Sequence, residues 1–71
     1  MEREYVESSM MISIGYERES AILEIEFKNS GQVWQYYNVP EEIYNELKYS
    51  DSKGKFFHHN IKDQYSESRV A

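Results

Sequence analysis

The chain has no cysteine, one proline and three glycines among its 71 residues. Without cysteine there is neither a disulfide framework nor a thiolate zinc site, so a domain near the lower size limit must be held by burial alone. No internal repeat and no low-complexity linker interrupts the chain. No apolar run approaches the ~20 residues of a membrane span. The N-terminal "MEREYVESS" is polar and acidic where a signal peptide needs a positive end and an apolar stretch, so a soluble cytoplasmic protein is expected. Basic residues are also scarce. A net charge of −5 disfavours indiscriminate adhesion to nucleic acid.

Aromatics, by contrast, are plentiful: 15% of the chain, with seven tyrosines. Each buried ring removes roughly 150–250 Å² from water, which makes the rings the natural core. The charge is unevenly spread. Residues 1–50 hold ten glutamates against four basic residues, a balance of −6. Residues 51–71 hold Lys53, Lys55, Lys62 and Arg69 against Asp51, Asp63 and Glu67, a balance of +1. An anion-binding surface, if present, belongs to that last third.

Hydrophobic alternation marks three strands. "MMISIGYE" sets Ile12, Ile14 and Tyr16 on one side and Met11, Ser13 and Gly15 on the other. "AILEIEFK" sets Ala21, Leu23, Ile25 and Phe27 against Glu24, Glu26 and Lys28, a dry face and a wet one. After the turn "NSG", "QVWQYYN" sets Trp34 and Tyr36 opposite Val33, Gln35 and Tyr37. An even loop pairs Phe27 with Trp34 and Ile25 with Tyr36, on the dry side; an odd loop turns Val33 and Tyr37 inward. The even loop is preferred because it keeps Gln35 beside the wet-face glutamates and fills the core with the larger rings.

Two helices follow. In "NVPEEIYNELKYS", Pro40 suits the first helical position, Glu41 and Glu42 favour the positive end of the dipole, and Ile43, Leu47 and Val39 face inward. In "SDSKGKFFHHNIKDQY", Ser50, Asp51 or Ser52 is the cap, with Phe56, Phe57 and Ile61 as apolar contacts. Gly54 inside this helix suggests close approach by a backbone or ligand. The tail "SESRVA" either frays or adds a short edge strand. The expected fold is a single α+β domain over residues 1–71: a three-stranded antiparallel meander sheet with two C-terminal helices packed on one face.

From about Val6 to Tyr65 the chain resembles the KTSC domain, named after the C-terminus of certain lysyl-tRNA synthetases and also found alone as a short bacterial or phage protein. The family's Tyr-x-Tyr pair before Val-Pro stands here as Trp34-Gln35-Tyr36, with tryptophan replacing the first tyrosine. Its Ser-Lys-Gly-Lys-aromatic-Phe segment stands as Ser52 to Phe57, followed by Asn60 and Ile61. Departures are the "KDQYSES" stretch, which is less basic than the family pattern, and the pair His58-His59. The resemblance implies RNA binding only by association with a tRNA-charging enzyme.

Function classes narrow accordingly. Ser8 and Ser9 have no identifiable base and no glycine motif cradles phosphate, so no enzyme is expected. Neighbouring histidines on a helix point about 100° apart, so no metal and no cofactor is expected. Phe27, Trp34, Tyr36, Phe56 and Phe57 are assigned to the core. The expected RNA contacts are Ser52, Lys53, Lys55, His58, Asn60 and Lys62, with Tyr37 on the other sheet face to stack on a base. The alternative partner is a protein, another or a second copy, meeting Ile22, Val33 and Tyr37 on that face or an unpaired edge strand.

Overall fold

Alternating apolar residues build the centre of the sheet. The computed structural model describes residues 1–71. Strands β1 (Glu4–Tyr5), β2 (Met11–Glu17), β3 (Ile22–Phe27), β4 (Val33–Tyr36) and β5 (Glu67–Arg69) form one antiparallel sheet in the order β1-β2-β3-β4-β5. Helices α1 (Glu41–Tyr49) and α2 (Lys53–Asn60) are inserted between β4 and β5. The architecture is α+β with five strands, not three. The two additional strands are edges of two and three residues, too short to carry an alternating pattern.

The helices cover one face. Phe57 of α2 makes edge-on contacts with Phe27 at 5.5 Å and Tyr36 at 5.6 Å. Tyr44 of α1 stacks on Tyr16 at 5.1 Å, so α1 lies over the β2 side and α2 over β3 and β4. Between the layers Met11, Ile14, Leu23, Ile25, Val39, Leu47 and Ile61 are wholly buried. Tyr36 and Phe57 join them; Phe27, Trp34 and Phe56 are half-buried against the same cluster. Removing one large aliphatic side chain from such a core costs about 2–5 kcal/mol.

The pairing departs from expectation in three places. Trp34 and Tyr36 lie on the helix-covered face, but Ile25 pairs with Trp34 and Leu23 with Tyr36, two residues along from the expected register. The Phe27 amide donates to Gln32 O, so an even four residues, 28–31, lie between that pair, and the amide of Gly31 (φ 70) donates to Phe27 O. A bulge between Met11 and Ser13 places Met11 opposite Phe27, so Met11 enters the core and Ile12 stays half-buried. Ala21 sits in the hairpin turn at φ 56 rather than in β3, its carbonyl accepting from the Val39 amide.

The second sheet face is not wet at its centre. Ser13 is 3% exposed, Glu24 6% and Val33 6%. The cause lies at both termini. Arg3 reaches across, donating from Nε to Ser13 Oγ at 2.9 Å and from Nη1 to Glu24 Oε2. Gln35 Nε2 donates to Glu24 Oε1 at 2.8 Å and Tyr37 OH to Gln35 Oε1 at 3.0 Å, extending the network to β4. Gly15 makes room for this strap, because a Cβ there would lie 2.4 Å from the Glu2 carbonyl oxygen. The C-terminus closes over Val33, whose carbonyl accepts from Val70 and Ala71.

Candidate nucleic-acid interface

Burial of Phe57 fixes which way each residue of α2 points. With 100° per residue, Lys55, His58 and His59 fall on the side away from Phe57. All three are exposed, as is Lys62 just beyond the helix end. No acid interrupts residues 52–62. The outward surface of α2 is therefore cationic in a protein that is otherwise acidic.

The other expected contacts are placed differently. Lys53 Nζ donates to Ser50 O at 3.0 Å, so its ammonium ties down the carbonyl at the C-terminal end of α1. Asn60 Nδ2 donates to its own helix at Phe56 O, 3.2 Å. Ser52 is the N-cap residue of α2 and is exposed, but its side chain makes no capping bond. The first-turn amides of α2 consequently have no partner from either helix or cap. Pro40 is the N-cap of α1, so the helix begins at Glu41, one position later than expected. At Gly54 an added Cβ would meet only Met10 side-chain atoms at 3.7 Å, an ordinary contact that does not demand glycine.

Tyr37 belongs to the Arg3–Glu24–Gln35 network on the far face of the sheet, in the opposite layer from α2. The structure does not bring it together with Lys55 and Lys62. Val33 is covered, which removes it from the protein-contact surface expected there.

What sequence reading missed is the partner of α2. The loop before β2 folds against its start, and Glu7, Ser8, Ser9, Asp51, Ser52, Lys53, Gly54 and Lys55 line a wholly polar cleft of about 240 Å³. Ser8 Oγ accepts from the amides of Met10 and Met11 at 3.0 and 3.2 Å, fixing the loop. Only a tertiary contact joins residues this far apart in the chain. Glu7 and Asp51 offset the two lysines there, so the cleft is polar but nearly neutral. Lys55 borders both this cleft and the outward face, where His58, His59 and Lys62 are also exposed. The side chains bring no group of three or more His, Cys, Asp or Glu within reach of a common metal.

Fold and surface together define a small α+β domain whose sheet is sealed by a helix pair on one face and by its own termini on the other. Its outer helix is the one cationic element. The model of the KTSC domain matches residues 7–65. An uncharacterised protein of Stutzerimonas stutzeri is 40% identical over 65 residues, spanning 92% of this chain and 90% of its own. A lysine–tRNA ligase of Nostoc is 34% identical over 65 residues, which is 92% of this chain and 11% of the ligase. The crystal structure of a KTSC domain protein from Yersinia pestis superposes with a TM-score of 0.94 at 36% identity, covering 99% of this chain and 97% of that one. The chain belongs to the KTSC domain family.

Proposed function

We propose that the chain is a non-enzymatic RNA-binding module that grips phosphates with the outward face of α2. Lys55 and Lys62 supply the charge, His58 and His59 add donors between them, and Ser52 stands at the helix start. The observation that carries this reading is the segregation of charge. The segment 52–62, which holds no acid, exposes Lys55, His58, His59 and Lys62 in a chain of net charge −5, and an aqueous polyanion approaching by diffusion is repelled elsewhere. Support also comes from the tRNA-charging relatives, in which this domain accompanies an enzyme that handles RNA. Lys53 and Tyr37 are outside the contact, the first holding α1 and the second facing the other way.

Contacts of this kind read backbone rather than sequence. Two lysines release about two counterions, so affinity should fall with a log–log salt slope near −1.4 on single strands. Amide chemical shifts of the chain titrated with a short single-stranded RNA at two salt concentrations test the reading. Shifts confined to residues 52–62 and lost at high salt are expected, and Lys55→Glu with Lys62→Glu should abolish them with the fold retained. Unchanged binding by that variant, or shifts elsewhere on the surface, would refute it.

A further inference from the structure

The two helices present opposite charges side by side. Burial of Leu47 places Glu42, Asn45, Glu46 and Tyr49 on the outward side of α1, and all four are exposed, Tyr49 by 76%. At the margins of this surface Glu41 is engaged by Arg18 at 2.9 Å and Lys48 by Glu4 at 2.9 Å, which leaves Glu42 and Glu46 as the carboxylates facing out. The neighbouring helix faces out with Lys55 and, beyond His58 and His59, Lys62. One half of the helical layer is acidic and the other basic.

We infer that this layer is a docking surface for a second copy of the chain. A two-fold axis lying in the plane of the interface, between α1 and α2, lays each α1 on the partner's α2. Every contact is then made twice, as a closed isologous interface requires. Glu42 and Glu46 meet the partner's cationic helix, and Tyr49, the most exposed ring on the layer, supplies apolar area at low entropic cost. Charge complementarity selects the occupant: the surface matches its own image in this orientation and repels itself in a parallel one. The molecule extends 28 × 24 × 22 Å. A face of that size buries on the order of 500 Å² per partner, at the small end of specific interfaces, so the dimer is weak and dissociates in salt. Because it covers Lys55 and Lys62, the dimer competes with any phosphate bound there, a consequence that rests on the function proposed above; the dimer itself does not.

Sedimentation equilibrium at protein concentrations up to ~1 mM, without RNA, tests the inference. At ~20 mM salt a reversible dimer is expected, loosened about tenfold at ~300 mM. Glu42→Lys with Glu46→Lys should be monomeric, as should Lys55→Glu with Lys62→Glu, each with a wild-type circular dichroism spectrum. Mixed one to one, the two variants should form a heterodimer, since every reversed charge then faces its opposite. A wild type monomeric throughout at low salt, or a mixture that stays monomeric, would overturn the proposal. RNA binding by the Glu42/Glu46 variant is expected to survive, so failure of the dimer and failure of the RNA reading give different results.

Discussion

Replacing Gly15 with alanine should destabilise the domain, against the intrinsic preference of a strand. In a free strand position alanine is favoured over glycine by roughly 0.5–1 kcal/mol, because glycine loses more backbone entropy on folding. Here the new Cβ would sit 2.4 Å from Glu2 O and 3.1 Å from Arg3 Cγ, and the first contact is backbone that no rotamer can move. The strap must lift. Lifting it breaks the Arg3 bonds to Ser13 and Glu24, about 1.5–3 kcal/mol each for charge-assisted bonds, and the short β1 ladder, about 1 kcal/mol per bond. About five freed residues regain roughly 1–2 kcal/mol each of backbone entropy, which roughly cancels this loss. What remains is about 2 kcal/mol, since Glu24 is left in a buried position without its cation. For a domain of this size that lowers Tm by about 8–16 °C. Thermal and urea unfolding measure it. Because Gly15→Ala and Arg3→Ala detach the same segment, their effects must overlap: in the Gly15→Ala background, Arg3→Ala should cost under about 0.5 kcal/mol. Full additivity, or a Gly15→Ala protein as stable as wild type, would refute the strap.

Four other substitutions probe the same physics. Burial opposes ionisation of Glu24, but hydrogen bonds from Gln35 and Arg3, with the charge of Arg3 and the N-terminal ammonium, hold its carboxyl below the usual carboxylate range. A depressed folded value gives stability that is present above pH ~4.3 and lost as pH falls further, so urea midpoints should decline more steeply below pH ~4 in wild type than in Glu24→Gln. Burial, with the nearby Glu67 carboxylate, raises the Tyr36 phenol well above its ordinary 10.0. Stability should therefore be intact below pH ~10 and fall as pH rises beyond it; Tyr36→Phe should remove that group's share of the fall, about 1.4 kcal/mol in total between pH 9 and 11 in urea titrations. Lys53→Ala should cost about 1 kcal/mol through loss of the bond to Ser50 O and leave RNA affinity largely intact, whereas Lys55→Ala should do the reverse; equal losses of affinity would return Lys53 to the interface.

Periodicity carried the reading of β2, β3, β4 and both helices, because four to nine residues suffice to display a repeat of two or of 3.6. It failed wherever the deciding contact was tertiary. Glu4–Tyr5 is a strand only because β2 offers it an edge, and the tail, open to fraying or to an edge strand, takes the strand because β4 offers Glu67–Arg69 an edge. Ile12 lost its core place to Met11 through a one-residue bulge, an event that leaves no mark on hydrophobic alternation. The face of Trp34 and Tyr36 followed from loop parity, while the register, two residues off, depended on where the Gly31 turn closed. Of the candidate interface, the cationic run was legible from composition. The tie between Lys53 and Ser50, the meeting of Ser8 and Ser9 with α2, and the separation of Tyr37 from the lysines were not, since each depends on how the layers stack.

The location of any recognition surface follows from how a 71-residue chain satisfies its sheet. RNA modules that stack bases on a sheet leave one face open. This chain has no such face. Its helices need Leu23, Ile25 and Tyr36 as their floor, and its termini lie across Ser13, Glu24 and Val33 on the other side. Both sheet edges are short and carry charged residues, a construction that discourages strand addition. With faces and edges occupied, the outward side of the helix pair is one surface that folding leaves exposed. The cationic segment of the sequence lies on that side. Side chains there are free to vary without loss of the core, so on the proposed reading a substitution that alters binding at constant stability is expected on α1 or α2 and not on the aromatic residues beneath them.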